Sequence, residues 1–211
     1  MSSFERGVFV VEIKTGTTTL AITCKEAVVM ATDKRAVAGT MIAHKNVQKL
    51  QQIGDRIAMT IAGLAADGQV LGRWLKSEIA LYNIRNNTEM SVNGAATFIS
   101  NVLNQYKFTP FYVQLLIAGY DGKGPHAFDL DAAGGLFEDK YISTGSGSPY
   151  VYGLLENSYK KDMSLEETLK LAKQCVKVAM SRDSASGDDI EIVYIDKESF
   201  KRLSKEEMDK L

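Results

Sequence analysis

The sequence predicts an α+β protein in which two β-sheets are sandwiched between two layers of helices. Segments rich in β-branched residues come in blocks: two blocks are each followed by a pair of helices, and a single strand comes after the second pair. The 211 residues include only three prolines and no low-complexity linker or repeat, which predicts a single domain. Strands and helices that are grouped in separate blocks along the chain are typical of layered α+β folds rather than of alternating βαβ units.

The first block holds four predicted strands. Residues 17–24 and 26–32 form two strands joined by a tight turn, because both segments are enriched in β-branched residues and partly alternate. A further strand pair is predicted around residues 41–44 and 56–62. Gly63 then breaks the pattern.

Two helices are predicted next, over about 66–85 and 92–105. Apolar residues recur in both segments at helical spacing, so each helix has one apolar stripe. We expect the two helices to pack as an antiparallel pair over a sheet. The first stripe consists of Leu71, Leu75, Ile79 and Tyr82, flanked by Trp74, and the second consists of Ala95, Ile99, Val102 and Tyr106.

Strands return in the second half of the chain. They are predicted at 112–119 and 126–130, with Asp121-Gly122 as the start of the hairpin turn between them. Gly134-Gly135 marks another turn before Ile142.

Helices and one strand complete the pattern. A short helix over 149–159 precedes a longer helix, which begins at a capping box formed by Ser164 and Glu167. A strand at 190–195 follows, and Ser204 caps a terminal helix.

Composition limits the classes of function. The formal net charge of -1 argues against nucleic acid or an anionic membrane surface as the partner. No apolar run approaches the ~18 residues that a membrane span requires. Cys24 and Cys175 are expected to be reduced core residues, which favours a cytoplasmic location. His44 and His126 are far apart, so we expect no metal, no cofactor and no histidine-based triad.

The segment Gly16-Thr17-Thr18-Thr19 suggests a concealed nucleophile. A threonine hydroxyl needs an adjacent base to remove its proton. Cleavage of the bond between Gly16 and Thr17 would give Thr17 a free α-amine, whose ordinary pKa of about 7.7–8.0 suits that base. A threonine triplet by itself is more often a half-exposed strand surface, so both interpretations stay open at this point.

Asp33 and Lys49 fit an electrostatic design around this threonine. A lysine held charged by Asp33 would favour deprotonation of Thr17 Oγ. Taken singly, Asp33 is equally well a turn residue, and Lys49 is one of 25 basic residues. Gly145-Ser146-Gly147-Ser148 and the segment 183–189 are either plain turns or segments whose hydroxyls and carboxylates accept hydrogen bonds from an α-ammonium group.

Taken together, these segments resemble the β subunits of proteasomes, in particular the archaeal type. The resemblance covers nearly the whole chain from Gly16 to about Ile195, and Thr17, Asp33 and Lys49 stand 16 residues apart in turn. Six motifs carry it: Gly16-Thr17-Thr18-Thr19, Ala31-Thr32-Asp33-Lys34-Arg35-Ala36, His44-Lys45-Asn46 followed by Lys49, Ile61-Ala62-Gly63, Thr144-Gly145-Ser146-Gly147-Ser148, and Arg182-Asp183-Ser184-Ala185-Ser186-Gly187-Asp188.

The resemblance implies the four-layer αββα sandwich of the N-terminal-nucleophile hydrolases. Residues 1–16 would be a propeptide removed by autocleavage, and 17–211 would be one catalytic domain. Thr17 would be the nucleophile and its freed amine the base, while Lys49 lowers the hydroxyl pKa and Asp33 orients Lys49. The remaining implied site residues are Ser146, Asp183 and Ser186 around the new N-terminus and the backbone N–H of Gly63 as the oxyanion donor.

The resemblance also implies a neutral substrate pocket. Because Ile61 is apolar and mid-sized, we expect cleavage of unfolded polypeptides after apolar residues. The preference should be loose, since a hydrophobic pocket discriminates by only ~1–3 kcal/mol per methylene. Val37 stands where the family usually carries Thr or Ser, and substrate binds there chiefly through the backbone. The implied substrate-binding residues are Ala36, Val37, Val47, Ile61 and Ala65.

An assembly is implied as well. The chain would belong to a seven-membered β ring stacked against rings of α subunits, four rings in all, with a regulatory ATPase ring acting through the α ring. One alternative is a non-catalytic structural member of the β ring, which the intact Thr17 and Lys49 disfavour. Another is a different N-terminal-nucleophile amidohydrolase or a bacterial two-ring peptidase partner, which the 182–188 motif disfavours.

Overall fold

A computed structural model describes residues 16–211, with twelve strands and five helices in that range. The strands are β1 (Thr19–Thr23), β2 (Ala27–Asp33), β3 (Ala36–Ala38), β4 (Met41–His44), β5 (Leu50–Gly54), β6 (Ile57–Gly63), β7 (Val113–Asp121), β8 (Gly124–Leu130), β9 (Leu136–Glu138), β10 (Tyr141–Thr144), β11 (Ile190–Asp196) and β12 (Phe200–Arg202). The helices are α1 (Ala65–Asn86), α2 (Val92–Gln105), α3 (Ser148–Ser158), α4 (Leu165–Arg182) and α5 (Lys205–Asp209).

The strands form two five-stranded antiparallel sheets and a separate hairpin. The first sheet has the order β10-β1-β2-β11-β12, the second β5-β6-β7-β8-β9, and β3 pairs with β4. One apolar core lies between the two sheets, a second between the first sheet and α3 and α4, and a third between the second sheet and α1 and α2. The four-layer αββα arrangement predicted from the sequence is therefore confirmed.

Strand β2 shows how the sequence builds these layers. Val29 and Ala31 face the core beneath α3 and α4, whereas Val28 and Met30 face the opposite sheet. This alternation follows from the two-residue period of a strand. Every residue of β2 is buried, so Asp33 at its end has no exposed surface.

The helix predictions agree with the structure to within a residue or two. Ser164 accepts the N–H of Glu167 at 3.3 Å and Glu167 accepts the N–H of Ser164 at 2.9 Å, which is the expected capping box. On α1 the side chains of Leu71, Leu75 and Ile79 are buried, but Tyr82 is partly exposed.

The strand predictions need one correction. Residues 41–44 do not pair with 56–62; β4 instead pairs with β3, with Val37 opposite Ile42, and β6 pairs with β5 and β7. Strands β3, β9 and β12 have three residues each, which is too short for a two-residue period to be recognised. Within residues 16–211, none of the helices has both the length and the apolar character needed to cross a membrane.

Candidate active site

Thr17 lies two residues before the start of β1 and is 5% exposed, while Thr18 and Thr19 are fully buried. The interpretation of the triplet as a half-exposed strand surface is therefore wrong. The backbone of Thr17 is held by the Gly145–Ser148 turn, because its carbonyl oxygen accepts the N–H of Gly147 at 3.2 Å.

Two glycines let this turn approach the threonines. Gly145 has a φ of 91°, and a Cβ on it would lie 2.2 Å from the carbonyl oxygen of Thr17. A Cβ on Gly147 would lie 1.9 Å from Oγ1 of Thr18. Any side chain at either position would push the turn away from the candidate nucleophile.

The carbonyl oxygen of Gly16 accepts two hydrogen bonds from the candidate catalytic groups. The hydroxyl of Thr17 donates to it at 2.6 Å, and Nζ of Lys49 donates at 3.2 Å. A Cβ on Gly16 would lie 1.9 Å from Cβ of Ala185. The glycine is thus required by the neighbouring loop, a contact that sequence reasoning did not identify.

Asp33 is the buried acceptor that organises this side of the site. Its Oδ1 accepts Nζ of Lys49 at 2.8 Å and the N–H of Thr18 at 2.9 Å. Its Oδ2 accepts the N–H groups of Arg35 and Gly187, both at 3.0 Å. A buried carboxylate with four donors is fixed in orientation.

Lys49 lies immediately before β5 and is 5% exposed. Burial lowers the pKa of its amine below the ordinary value, and the nearby carboxylate of Asp33 opposes that shift. Asp33 therefore favours the charged form of Lys49.

A second network surrounds the backbone nitrogen of Thr17. This N–H donates to Oγ of Ser146 at 3.2 Å, and Ser146 donates to Oδ2 of Asp183 at 2.6 Å. Ser186 donates to the same oxygen at 2.6 Å, so the hydroxyl of Thr18, 2.7 Å from Ser186, must be the donor in that pair. Every hydroxyl in this network has a defined role.

The five predicted substrate-binding residues line one cavity of about 200 Å³ beside Gly16 and Thr17. Its lining is mostly apolar, and Gly63, with a φ of 108°, borders both this cavity and Thr17. Gln48, Leu64 and Gln69 also line it and were not predicted. The predicted members are Ala36, Val37, Val47, Ile61 and Ala65.

Sequence reasoning also missed Thr18, which it assigned as an ordinary strand residue. Thr18 precedes β1, and both its N–H and its hydroxyl belong to the site. Its position next to the candidate nucleophile places Thr18 near the site, but no local pattern in the sequence encodes the orientation of its hydroxyl. In the described part of the chain, no group of three or more His, Cys, Asp or Glu side chains is placed to hold a metal ion.

The fold and the site together define the class. A four-layer αββα sandwich carries, at the head of a central strand, a threonine surrounded by a buried lysine, two aspartates and serine hydroxyls. This is the arrangement of an N-terminal-nucleophile hydrolase.

Comparison with known proteins identifies the family. The proteasome subunit family model matches residues 13–195. The chain is 51% identical over 197 residues to the proteasome subunit beta of Picrophilus torridus, covering 93% of each chain. It is 49% identical over 183 residues to that of Thermoplasma acidophilum, covering 87% of this chain and 86% of the relative. The chain therefore belongs to the proteasome subunit family, as a β subunit of the threonine endopeptidase type.

Proposed function

We propose that the chain is made as a precursor that cuts its own Gly16–Thr17 bond and then hydrolyses peptides with Thr17 as the nucleophile. The observation that carries this proposal is the carbonyl oxygen of Gly16, which accepts both the hydroxyl of Thr17 and Nζ of Lys49. Residues 1–15, most of the proposed propeptide, lie outside the described residues.

Self-cleavage would proceed as an acyl shift. Oγ of Thr17 bonds to the carbonyl carbon of Gly16 as its proton passes to the departing backbone nitrogen, and the Gly16–Thr17 amide becomes an ester. Water then hydrolyses the ester, so Gly16 leaves as a carboxylate and Thr17 keeps its hydroxyl and a free α-amine. Lys49 would stabilise the negative charge that develops on the carbonyl oxygen.

Peptide hydrolysis would use the same groups. The α-amine of Thr17 takes the hydroxyl proton as the oxygen attacks the substrate carbonyl, and it gives the proton to the leaving amine, which leaves an ester on Thr17. Water then hydrolyses this ester, which releases the other half of the substrate as a carboxylate and restores the hydroxyl of Thr17. Lys49, held by Asp33, favours the alkoxide. Ser146, Asp183 and Ser186 would hold the amine, and the N–H of Gly63 would face the oxyanion.

The cavity beside Thr17 would take the side chain that precedes the cleaved bond. Its apolar lining supports cleavage of unfolded polypeptides after apolar residues. The amides of Gln48 and Gln69 in its lining carry no charge, and the amine of Lys49, which also lines it, is paired with Asp33. We therefore expect no strong preference for acidic or basic residues.

Assembly is the remaining part of the proposal. We infer that the chain joins α subunits in a particle of four stacked rings, with seven β subunits per ring and an ATPase ring acting through the α ring. Exposed apolar side chains such as Phe108 and Ile84, 89% and 80% exposed, suit burial against neighbouring subunits. The two buried free cysteines suit a cytoplasmic location.

Intact-mass measurement of the assembled particle tests the proposal directly. We expect a chain that begins at Thr17 and that cleaves a fluorogenic peptide ending in leucine or phenylalanine. A chain that starts at Met1 and is inactive would instead identify a structural β subunit. Counting subunits by electron microscopy would detect a two-ring peptidase.

A further inference from the structure

Arg35 connects the end of β2 to the 183–189 loop. Its Nε lies 2.8 Å from Oδ2 of Asp188, Nη2 lies 3.5 Å from Oδ1, and Nη1 donates to the carbonyl oxygen of Ser184 at 3.0 Å. The guanidinium thus holds the loop at two separate residues with three donors. Such fork-like contacts fix geometry as well as charge.

The contact between Arg35 and the 183–189 loop lies next to the buried carboxylate of Asp33. The backbone N–H groups of Arg35 and Gly187 both donate to Oδ2 of Asp33, one from each side of the contact. A Cβ on Gly187 would lie 2.4 Å from Cζ of Arg35, so the guanidinium lies directly against the loop backbone. The loop therefore cannot move away from Arg35 without releasing one of the four donors to Asp33.

The loop also carries contacts to the reacting end of the chain. Ser186 bonds to Thr18 and Asp183, and Ala185 lies against Gly16. The side chains of Arg35 and Asp188 are 21% and 16% exposed, which shields this ion pair more than a typical surface pair.

We propose that Arg35 is a positioning residue for peptide hydrolysis, because its guanidinium holds the 183–189 loop so that Gly187 fixes Asp33 beside Lys49. Arg35 acts through Asp188 and the loop and does not touch the substrate carbonyl. The kinetic part of the inference rests on the proposed function. The structural part, in which Arg35 and the loop hold Gly187 in place, does not depend on the proposed function.

The test compares Arg35→Ala, Asp188→Ala and the double variant in the assembled particle. We expect Arg35→Ala to lower kcat about tenfold or more while KM changes less than about threefold, since the pocket is intact. The double variant should be no slower than Arg35→Ala within about twofold, because Arg35→Ala already removes the contact with Asp188. Arg35→Lys keeps the positive charge but lacks the several N–H donors of the guanidinium. We expect its kcat to lie between those of Arg35→Ala and the wild type.

Arg56→Ala is the matched control. The side chain of Arg56 is 26% exposed, pairs with Glu89 and donates to the carbonyl oxygen of Lys197 at 2.9 Å, away from the site. We expect its kcat to equal that of the wild type. If Arg56→Ala loses as much rate as Arg35→Ala, or if Arg35→Ala keeps its kcat within twofold, the proposal is overturned.

Hydrogen exchange at the amide of Gly187 separates this inference from the proposed function. Exchange should be at least about tenfold faster in Arg35→Ala and Asp188→Ala than in the wild type, and unchanged in Arg56→Ala. If the wild-type particle is inactive, the proposed function fails and this exchange rate alone decides the positioning role. If Arg35→Ala does not assemble, Asp188→Ala is judged by the same criteria.

Discussion

The amine of Lys49 lies 3.2 Å from the carbonyl oxygen of Gly16, the oxygen that also accepts the hydroxyl of Thr17. In our proposal, Lys49 therefore acts twice: it stabilises the oxyanion during self-cleavage, and it favours the threonine alkoxide afterwards. Both roles need the charged amine, which burial disfavours and the carboxylate of Asp33 favours.

Substitution of the nucleophile should block both reactions. Thr17→Ala has no hydroxyl, so we expect the propeptide to remain attached and kcat to fall by at least about 10⁴-fold. Thr17→Ser keeps the hydroxyl and should still be processed. Intact mass and hydrolysis of a fluorogenic peptide measure the two effects. Loss of residues 1–16 from Thr17→Ala would disprove self-cleavage.

Neutralising Asp33 should change the pH dependence of the reaction. Asp33→Asn removes the charge that raises the pKa of Lys49, while the burial that lowers this pKa remains. Lys49 then loses its proton at a lower pH. If its charged form is the active one, the alkaline decline of kcat must move to lower pH.

A profile of kcat between about pH 6 and 10 measures this shift. At pH 7.5 we also expect a loss of about 100-fold, because the amide cannot accept all four donors. Asp55→Asn, at an exposed turn between β5 and β6, is the control. An alkaline limb that does not move in Asp33→Asn would rule out the charged form of Lys49 as the active one.

Gly16→Ala should slow self-cleavage without harming the mature enzyme. The added Cβ would lie 1.9 Å from Cβ of Ala185, which forces the carbonyl of residue 16 away from Thr17. We expect the propeptide to be lost at least about tenfold more slowly, as followed by mass. Ala185→Gly should restore only part of the rate, because the carbonyl oxygen of residue 185 would still lie 2.6 Å from that Cβ.

The control for Gly16→Ala is a chain produced with Thr17 as its first residue. Its peptide hydrolysis should equal that of the processed wild type, since residue 16 is no longer present. Processing of Gly16→Ala at the normal rate would show that the Ala185 contact relaxes without cost.

Gln69 should allow the substrate preference to be changed. It lines the apolar cavity beside Ile61, and Gln69→Glu would place a carboxylate there. We expect kcat/KM for peptides with arginine before the cleaved bond to rise about tenfold relative to leucine peptides. Gln69→Leu is the neutral control and should leave the arginine rate low. An unchanged ratio in Gln69→Glu would mean that this cavity does not take the side chain before the cleaved bond.

Cys175 should resist alkylation in the folded protein. Burial raises the pKa of its thiol to about 12, so at pH 8 only about one molecule in 10⁴ carries the reactive thiolate. Treatment with iodoacetamide followed by peptide mass analysis should find Cys175 unmodified in the native particle and modified after denaturation. Rapid native labelling would show that α4 opens locally.

The layered fold was predictable because its long helices and central strands have clear periods. Leu71, Leu75 and Ile79 recur at helical spacing, and β2 is an apolar run long enough to recognise. The three-residue strands and the pairing of β4 with β3 were not predictable, since register depends on distant contacts rather than local pattern.

The candidate site also has residues that could be predicted from the sequence and residues that could not. The resemblance to proteasome β subunits singles out Thr17, Asp33 and Lys49, and the structure places them together. The contributions of Thr18 and Ala185 come from a hydroxyl orientation and a steric contact, which no local pattern encodes. Such contacts appear only once the chain has folded.

The turn that holds Thr17 affects how mutational data on this protein should be interpreted. At Gly145 and Gly147 any side chain would collide with the backbone or hydroxyl of the threonines. A saturation scan scored by activity should therefore rank these glycines with the nucleophile itself, although neither carries a reactive group. Intolerance to substitution at this site measures closeness to Thr17 as much as chemistry.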